Sequence, residues 1–248
     1  NSSATVIEIF ASPTWESPGH SLLSIPVTEL FVGKNAQLGF VSIQDLGPHV
    51  WQVAYQASRV DRDARLTSFS VALGGDYARQ RTDSHAVGPG AETNLLAAYF
   101  GTGTQVHDFR TLQDHVSPHT TSNLYFKGAV GDTARSVYSG LIKVRKGAIR
   151  TNAFQDNRNL VLSEGAHAES VPNLDIEEND VRCSHASAVG PVDPQQSYYL
   201  QSRGIPPQEA EQLVVEGFFE DIVARMPGAD AAKILVRRKV AAKLREQF

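Results

Sequence analysis

Short alternating runs of hydrophobic and polar residues dominate the first three quarters of the chain. Residues 69–73, Phe-Ser-Val-Ala-Leu, alternate with a period of two, which is the pattern of a half-buried β-strand. Similar β-rich runs, bounded by Gly, Pro, Asn or Ser, occur at 6–10, 22–25, 29–32 and 50–55. No long amphipathic helix is indicated before residue 190. The pattern predicts a mainly β domain over residues 1–190.

A regular spacing of glycines runs through this β-rich region. Gly74, Gly101 and Gly128 lie 27 residues apart, and each follows a β-like run. Equally spaced strand-turn units are typical of a solenoid, in which stacked coils bury a core that no coil can bury alone. An antiparallel sandwich with a chance spacing is the alternative that this spacing leaves open. The repeat is not maintained after Val130.

Helical patterns begin near residue 190. Asp193 followed by Pro194 is a favourable helix start, because Asp caps free N–H groups and Pro is tolerated at the first helical position. Gly204 is predicted to end this helix, and residues 205–207 to open a second. The second helix carries one apolar stripe at three- and four-residue steps, made of Ala210, Leu213, Val214, Gly217, Phe218 and Ile222.

A third helix is predicted from about 230 to 246, after a break at 226–228. Its basic residues surround an apolar set made of Ile234, Leu235, Val240 and Leu244. A solvated charged face is the simpler interpretation of the basic residues, and a surface for an anionic partner is the alternative. Together the three helices predict a small C-terminal α-helical domain over residues 191–248.

Composition narrows the classes of partner. The 248 residues carry a net charge of −4 and a pI of about 6.1, which gives no reason to expect nucleic acid or an anionic membrane as a partner. No apolar run approaches the roughly 18 residues of a membrane span. A single cysteine fits a reducing compartment. The chain starts Asn-Ser-Ser, without an initiator Met or a leader, so we expect its numbering to begin inside a longer protein.

Cys183 and His185 are the first candidate site. They are two residues apart in a β-like stretch, so their side chains point to the same face of a strand, roughly 7 Å apart. A thiolate and an imidazole could bind one metal ion or cluster from there. Zinc and iron–sulfur sites usually take four ligands, so the others would come from elsewhere. A packed thiol beside a hydrogen-bonded histidine is the alternative.

Histidines and carboxylates also gather between residues 107 and 119. The pairs His107–Asp108 and Asp114–His115 are adjacent in sequence, so the members of each pair should face opposite sides of a strand. We therefore expect a hydrogen-bonded ladder on the solenoid surface rather than a metal site, with His119 nearby. The acidic residues at 175, 177, 178 and 180 are interpreted as a turn and a strand edge. There is no phosphate-binding loop and no Gly-x-Ser-x-Gly motif.

Several motifs resemble one known family, in order and at similar spacing. They are DHVSPH at 114–119, LYFKG at 124–128, TNAFQDNRNLVLS at 151–163, SVPNLDI at 170–176, DVRCSH at 180–185, YYLQSRGI at 198–205 and EGFF at 216–219. These resemble the SufB/SufD family of iron–sulfur cluster assembly proteins. Cys-Ser-His at 183–185 and the single cysteine resemble the SufD branch.

The resemblance implies a right-handed parallel β-helix followed by a small helical domain. It implies a non-enzymatic, cytoplasmic scaffold of the SUF system that pairs with a SufB-like subunit and docks a SufC-type ABC ATPase. His185 and Cys183 would hold iron or a transient cluster at the interface with the partner, with no tightly bound cofactor. The motifs of the helical module place ATPase contacts at Gly204, Ile205, Gly217, Phe218 and Phe219.

Two other functions stay open at this stage. A β-helical carbohydrate-active enzyme would share the solenoid, although such enzymes rarely end in a compact helical module. A purely structural homodimeric β-helix protein is the other alternative, and a homodimer of the isolated chain would also suit the family.

Overall fold

The computed structural model describes residues 2–12 and 21–247, and this part of the chain holds fourteen strands followed by three helices. The strands are β1 (Ser3–Ala11), β2 (Leu22–Ser24), β3 (Val27–Val32), β4 (Gln37–Asp45), β5 (Val50–Val60), β6 (Arg65–Ala72), β7 (Tyr77–Ala86), β8 (Glu92–Gly101), β9 (Val106–His115), β10 (Thr121–Val130), β11 (Arg135–Val144), β12 (Asn152–Val161), β13 (His167–Ile176) and β14 (Arg182–Gly190). The helices are α1 (Pro194–Gln201), α2 (Pro207–Val223) and α3 (Asp230–Gln247).

The described strands form two parallel sheets wound as a β-helix. One sheet has the order β1-β4-β6-β8-β10-β12-β14, and the other has β13-β11-β9-β7-β5-β2 with β3 also on β5. From β3 onward, consecutive strands alternate between the sheets, so each hydrogen-bonded neighbour is one coil away. Arg65 pairs with Glu92, and Thr121 pairs with Asn152. The solenoid prediction is confirmed, and the antiparallel sandwich is wrong.

Only two of the three equally spaced glycines lie where a strand ends. Gly74 follows β6 and Gly101 ends β8, but Gly128 lies inside β10 and pairs with Tyr99. The register partner of Gly101 is Val130. Coils also continue through β11 to β14, past the point where the sequence repeat stops. Turns of different length change the spacing without interrupting the stack.

The lumen of the β-helix mixes aromatic and polar side chains. Tyr99, Phe109, Phe126 and Tyr138 pack at centroid distances of 4.6 to 5.7 Å. Buried polar residues follow the same inward positions along the strands, among them Gln52, Gln56, Ser68, Thr82, His107, Gln113, His115, Ser122, Gln155, Asn157 and Asn159. The interior is therefore organised by hydrogen bonds as well as by apolar contact.

Two of the helices cover the outer face of the first sheet. The core formed there joins Phe69, Val71, Leu96 and Phe100 of the sheet to the buried sides of α2 and α3. Phe100 and Phe219 stack at 5.9 Å. Lys243 of α3 donates to the Phe100 carbonyl at 2.8 Å. This sheet is therefore buried on both faces at its centre.

The helix boundaries follow the sequence prediction closely. Asp193 accepts a hydrogen bond from the Gln195 backbone N–H, and Pro194 is the first residue of α1. Gly204 lies past the end of α1 with a φ of 87°, in the left-handed region that favours glycine. The helix α2 begins at Pro207, as expected.

The buried faces of the helices differ from the predicted stripes. In α2 the buried residues are Ala210, Val215, Phe219, Ile222 and Val223, while Leu213 is 42% exposed. In α3 they are Ala232, Val236, Val240 and Leu244, while Ile234 is exposed. The predicted apolar stripe of α2 is thus rotated by about one residue from the face that is buried in the structure. The helix itself is apolar on more than one side, so periodicity alone does not select the face that meets the sheet.

Candidate functional site at the last coil

Cys183 and His185 lie on β14, the strand at the end of the stack. The strand pairs with β12, and no other described strand pairs with its far edge. Cys183 is in register with Ala153, and His185 with Gln155. Because Ala153 and Gln155 both point into the lumen, Cys183 and His185 share the inward face of β14.

The two side chains have different surroundings. Cys183 is half-buried against Ile142, Val144 and Ala153, and burial raises the pKa of its thiol, an effect that a hydrogen bond from the Ala153 backbone opposes. His185 is exposed. The lumen thus opens at its last coil with a packed thiol beside an accessible imidazole.

The pair is not a complete metal site. Within residues 2–12 and 21–247, the structure brings together no group of three or more His, Cys, Asp or Glu side chains suited to hold a metal ion. Two same-face ligands on the outermost strand form at most part of a coordination shell.

A polar layer lies directly beneath the last coil. Tyr99 donates its hydroxyl to the Asn159 carboxamide oxygen at 2.7 Å and accepts from the Asn157 nitrogen at 2.9 Å. Asn159 also donates to the Asn157 oxygen at 2.8 Å. Gln155 is 0% exposed in the same strand, yet neither of its amide atoms has a partner among the described residues. This layer was not predicted, although the polar residues at alternate positions 155, 157 and 159 indicate it.

The second histidine cluster divides between the two faces of β9. His107 and His115 lie inside the lumen, where burial lowers the pKa of His107 to about 3 and that of His115 to about 4. Asp108 and Asp114 lie on the outer face. Asp114 binds His85 Nδ1 at 2.7 Å and accepts hydrogen bonds from Nε and Nη2 of Arg145, both at 2.8 Å. The surface ladder is confirmed for the aspartates, and it is wrong for the two histidines, which are buried.

Neighbouring acidic residues make ion pairs at turns and edges. Asp175 and Glu177 bind Lys143 at 2.8 and 3.2 Å, and Glu178 accepts from the Gly147 backbone at 3.0 Å. His119 is exposed in a turn with a φ of 60°. None of these groups faces Cys183 and His185 in the lumen.

The helical residues that were predicted to contact the ATPase differ in how far they are buried. Phe219 is 2% exposed and packs on Phe100, whereas Phe218 is half-buried over Lys127 at 4.5 Å. Gly204 and Gly217 are exposed, and Ile205 is partly exposed. Gly217 borders a groove of about 410 Å³ between α2 and α3, lined also by Leu213, Val223, Arg237 and Val240. Among the described residues, no helix is both long and apolar enough to cross a membrane.

The sequence of the chain matches a known protein family. The family profile described as "SUF system FeS cluster assembly, SufBD core domain" matches residues 1–218. An iron–sulfur cluster assembly SufBD family protein of Mycobacterium tuberculosis is 41% identical over 80% of this chain and 52% of its own length. The SufD proteins of Bacillus subtilis and Escherichia coli are 34% and 31% identical, over 95% and 77% of this chain and 54% and 45% of their own lengths.

The chain spans about half the length of these relatives. The matched region nevertheless includes all fourteen strands described above and the first half of the helical region. The chain belongs to the SufB/SufD family of iron–sulfur cluster assembly proteins, in its SufD branch.

Proposed function

We propose that this chain is a non-enzymatic scaffold on which a nascent iron–sulfur cluster is built together with a SufB-like partner. The observation that carries the proposal is the position of Cys183 and His185. Both face the lumen on the outermost strand, and one of them is exposed. A partner that covers the last coil would bring its own ligands to the same place and complete the shell.

The surface around this coil fits such a partner. Apolar side chains are exposed at the end of the stack, namely Phe154 at 39%, Val171 at 41%, Leu174 at 38%, Ile176 at 40% and Val189 at 46%. The outer edges of β13 and β14 have no described strand beside them. Apolar patches next to free strand edges are typical of surfaces that another chain covers. A second β-helix could continue both sheets there.

The helices supply a separate surface for a SufC-type ABC ATPase. Tyr198 and Tyr199 of α1 are 73% and 55% exposed, and Leu213 lies beside the groove between α2 and α3. Because α2 and α3 share their core with the first sheet, a force applied to these helices is transmitted to the coils. The ATPase would hydrolyse ATP, and this chain would couple that hydrolysis to movement of the coils.

The cluster is cargo in this scheme. The thiolate of Cys183 and the imidazole of His185 would bind iron only while assembly proceeds, since this chain brings two ligands. Isolated chains could also pair through the same end, because the apolar surface suits a second copy.

The decisive experiment is co-expression with SufB-like and SufC-type partners, followed by iron and sulfide analysis of the purified complex. We expect His185→Ala to leave the complex intact and to reduce its iron and sulfide content at least several-fold. His167→Ala is the matched control, because His167 is an exposed histidine at the start of β13 in the same coil. Normal loading of the His185→Ala complex would contradict the assigned role.

A further inference from the structure

Gln155 has an environment that no other buried polar residue in the described ranges shares. Its side chain is fully buried, and both its carboxamide oxygen and its nitrogen lack a hydrogen-bond partner there. The other buried side chains with an unpartnered polar atom have one such atom each. Unpaired buried polar groups are unfavourable and therefore uncommon in native proteins, so two on one side chain require an explanation.

The neighbours of Gln155 leave one direction open. In the preceding coil its register partner is Leu124 of β10, which is buried and whose side chain cannot form a hydrogen bond. Across the lumen lies Gly140, where an added Cβ would come within 2.8 Å of the Gln155 nitrogen. On the outer side the register partner is His185. No described residue bonds the carboxamide, and of its two register partners only His185 carries a side chain that can form a hydrogen bond.

A second orphaned group faces the same coil. The Ser170 hydroxyl on β13 is buried without a partner among the described residues. It belongs to the coil that contains His185, and its register partner is Tyr138, beside Gly140. Three unpartnered polar atoms, two on Gln155 and one on Ser170, thus lie next to the layer that holds Cys183 and His185.

We infer that Gln155 is a positioning residue of the assembly site, whose carboxamide oxygen accepts a ring N–H of His185 while the other ring nitrogen binds iron. This inference rests on the proposed function. Neighbouring parallel strands are about 4.8 Å apart, a distance that a glutamine side chain can span. Histidines that bind metals usually donate their second ring N–H to an acceptor, which fixes the tautomer and the ring orientation. Gln155 is the acceptor in register.

The test measures metal affinity without cluster assembly. The complex of this chain with SufB-like and SufC-type partners is stripped of iron with a chelator and titrated with Co²⁺, whose absorption bands report thiolate and imidazole ligands. We expect Gln155→Met to weaken Co²⁺ binding roughly 10- to 100-fold, the range for loss of an outer-shell partner. The bands should also change shape, because the His185 ring is no longer held in one orientation.

Gln52→Met is the matched control. Gln52 is a buried lumenal glutamine with an unpartnered amide nitrogen, on β5 near the other end of the stack. It undergoes the same chemical change far from His185, so its complex should bind Co²⁺ like the wild type. Melting temperature and elution volume of each complex show whether folding and assembly are preserved.

The possible results separate the two proposals. Unchanged affinity in Gln155→Met, with weakened affinity in His185→Ala, would overturn the role of Gln155 and leave the proposed function standing. Unchanged affinity in both would overturn the metal-binding role of His185 itself. If Gln155→Met fails to assemble, Gly140→Ala is the second variant, because its Cβ would displace the carboxamide and the Tyr138 hydroxyl. Normal Co²⁺ binding by an assembled Gly140→Ala complex would then reject the inference.

Discussion

Gly128 on β10 lies directly opposite Tyr99 on β8, and the Tyr99 ring occupies the space that a side chain at position 128 would need. The ring has little freedom to move away. Its hydroxyl is held by Asn157 and Asn159, and its face packs on Phe109 at 4.6 Å. Because Gly128 has no side chain, Tyr99 of the neighbouring coil has room to reach the polar layer beneath the candidate site.

Replacing Gly128 by Ala should therefore destabilise the β-helix. The new Cβ would overlap the Tyr99 ring, and overpacking of this kind typically costs about 1–3 kcal/mol. For a chain of this size we expect the melting temperature to fall by about 2–4 °C for each kcal/mol. Thermal unfolding followed by circular dichroism measures the effect.

Gly33→Ala is the control for Gly128→Ala. An added Cβ at Gly33 would meet no atom within 4 Å, and the residue has no positive φ. Its melting temperature should stay close to that of the wild type. If the two variants melted alike, the contact between Gly128 and Tyr99 would not constrain the fold.

A second prediction concerns the ion pair that ties α2 to the sheet. Asp221 binds Lys127 at 2.7 Å and accepts the Tyr125 hydroxyl at 2.8 Å, and these contacts hold the pKa of Asp221 well below its usual range. Because the folded pKa is lower than the unfolded one of about 3.9, the stabilisation is present above about pH 4 and is lost as the pH falls further. We expect Asp221→Asn to be less stable than the wild type by about 1–3 kcal/mol at pH 7, since Lys127 stays largely buried without its partner.

Denaturant unfolding at pH 7 and pH 3 tests this ion pair. The difference between wild type and Asp221→Asn should shrink at pH 3, because the unfolded wild-type chain then binds a proton at Asp221 that the folded carboxylate does not bind. Glu216→Gln on the same helix is the control, because Glu216 is exposed and makes no ion pair within the described ranges. A pH-independent difference would show that packing, and not the charge of Asp221, supplies the stability.

The strands and the three helices could be predicted because their signals are local, whereas the winding of the strands into a parallel β-helix rested on the 27-residue spacing and on the family resemblance. Strand alternation, the Asp193–Pro194 start and the glycine at 204 each act within a few residues. The sequence could not assign inward and outward faces. In β8, residues 95 to 100 are all buried, because one face of the strand lines the lumen and the helices cover the other face. Alternation of buried and exposed positions is then lost in this sheet. In β9 of the other sheet, the outward-facing Asp108 and Asp114 are also buried, in ion pairs with Arg110 and Arg145, so burial does not separate the two faces there. Gln155 was missed for a related reason, since its significance depends on a register partner 30 residues away.

The last prediction concerns Lys243, which departs from the solvated face expected for α3. Its ammonium group is largely buried and donates to the Phe100 carbonyl at 2.8 Å and to the Gln105 oxygen at 2.6 Å. Burial lowers the pKa of Lys243 to about 8. Since the unfolded chain holds this proton up to about pH 10.4, the folded state binds fewer protons between these values. Stability from this group should therefore rise with pH from about 8 toward 10.4, and be least below pH 8.

Lys243→Met should remove this dependence on pH. The variant loses the hydrogen bonds to Phe100 and Gln105 but no longer has to bury a charge, so its stability should be nearly constant between pH 7 and 9.5, where the wild type gains. Urea unfolding at several pH values provides both curves, and their difference cancels the contributions of tyrosines that titrate at higher pH. Arg238→Met is the control, because Arg238 is an exposed basic residue on the same helix and makes no ion pair within the described ranges. Parallel curves for wild type and Lys243→Met would mean that Lys243 keeps an ordinary pKa and that its burial adds no pH dependence to the stability.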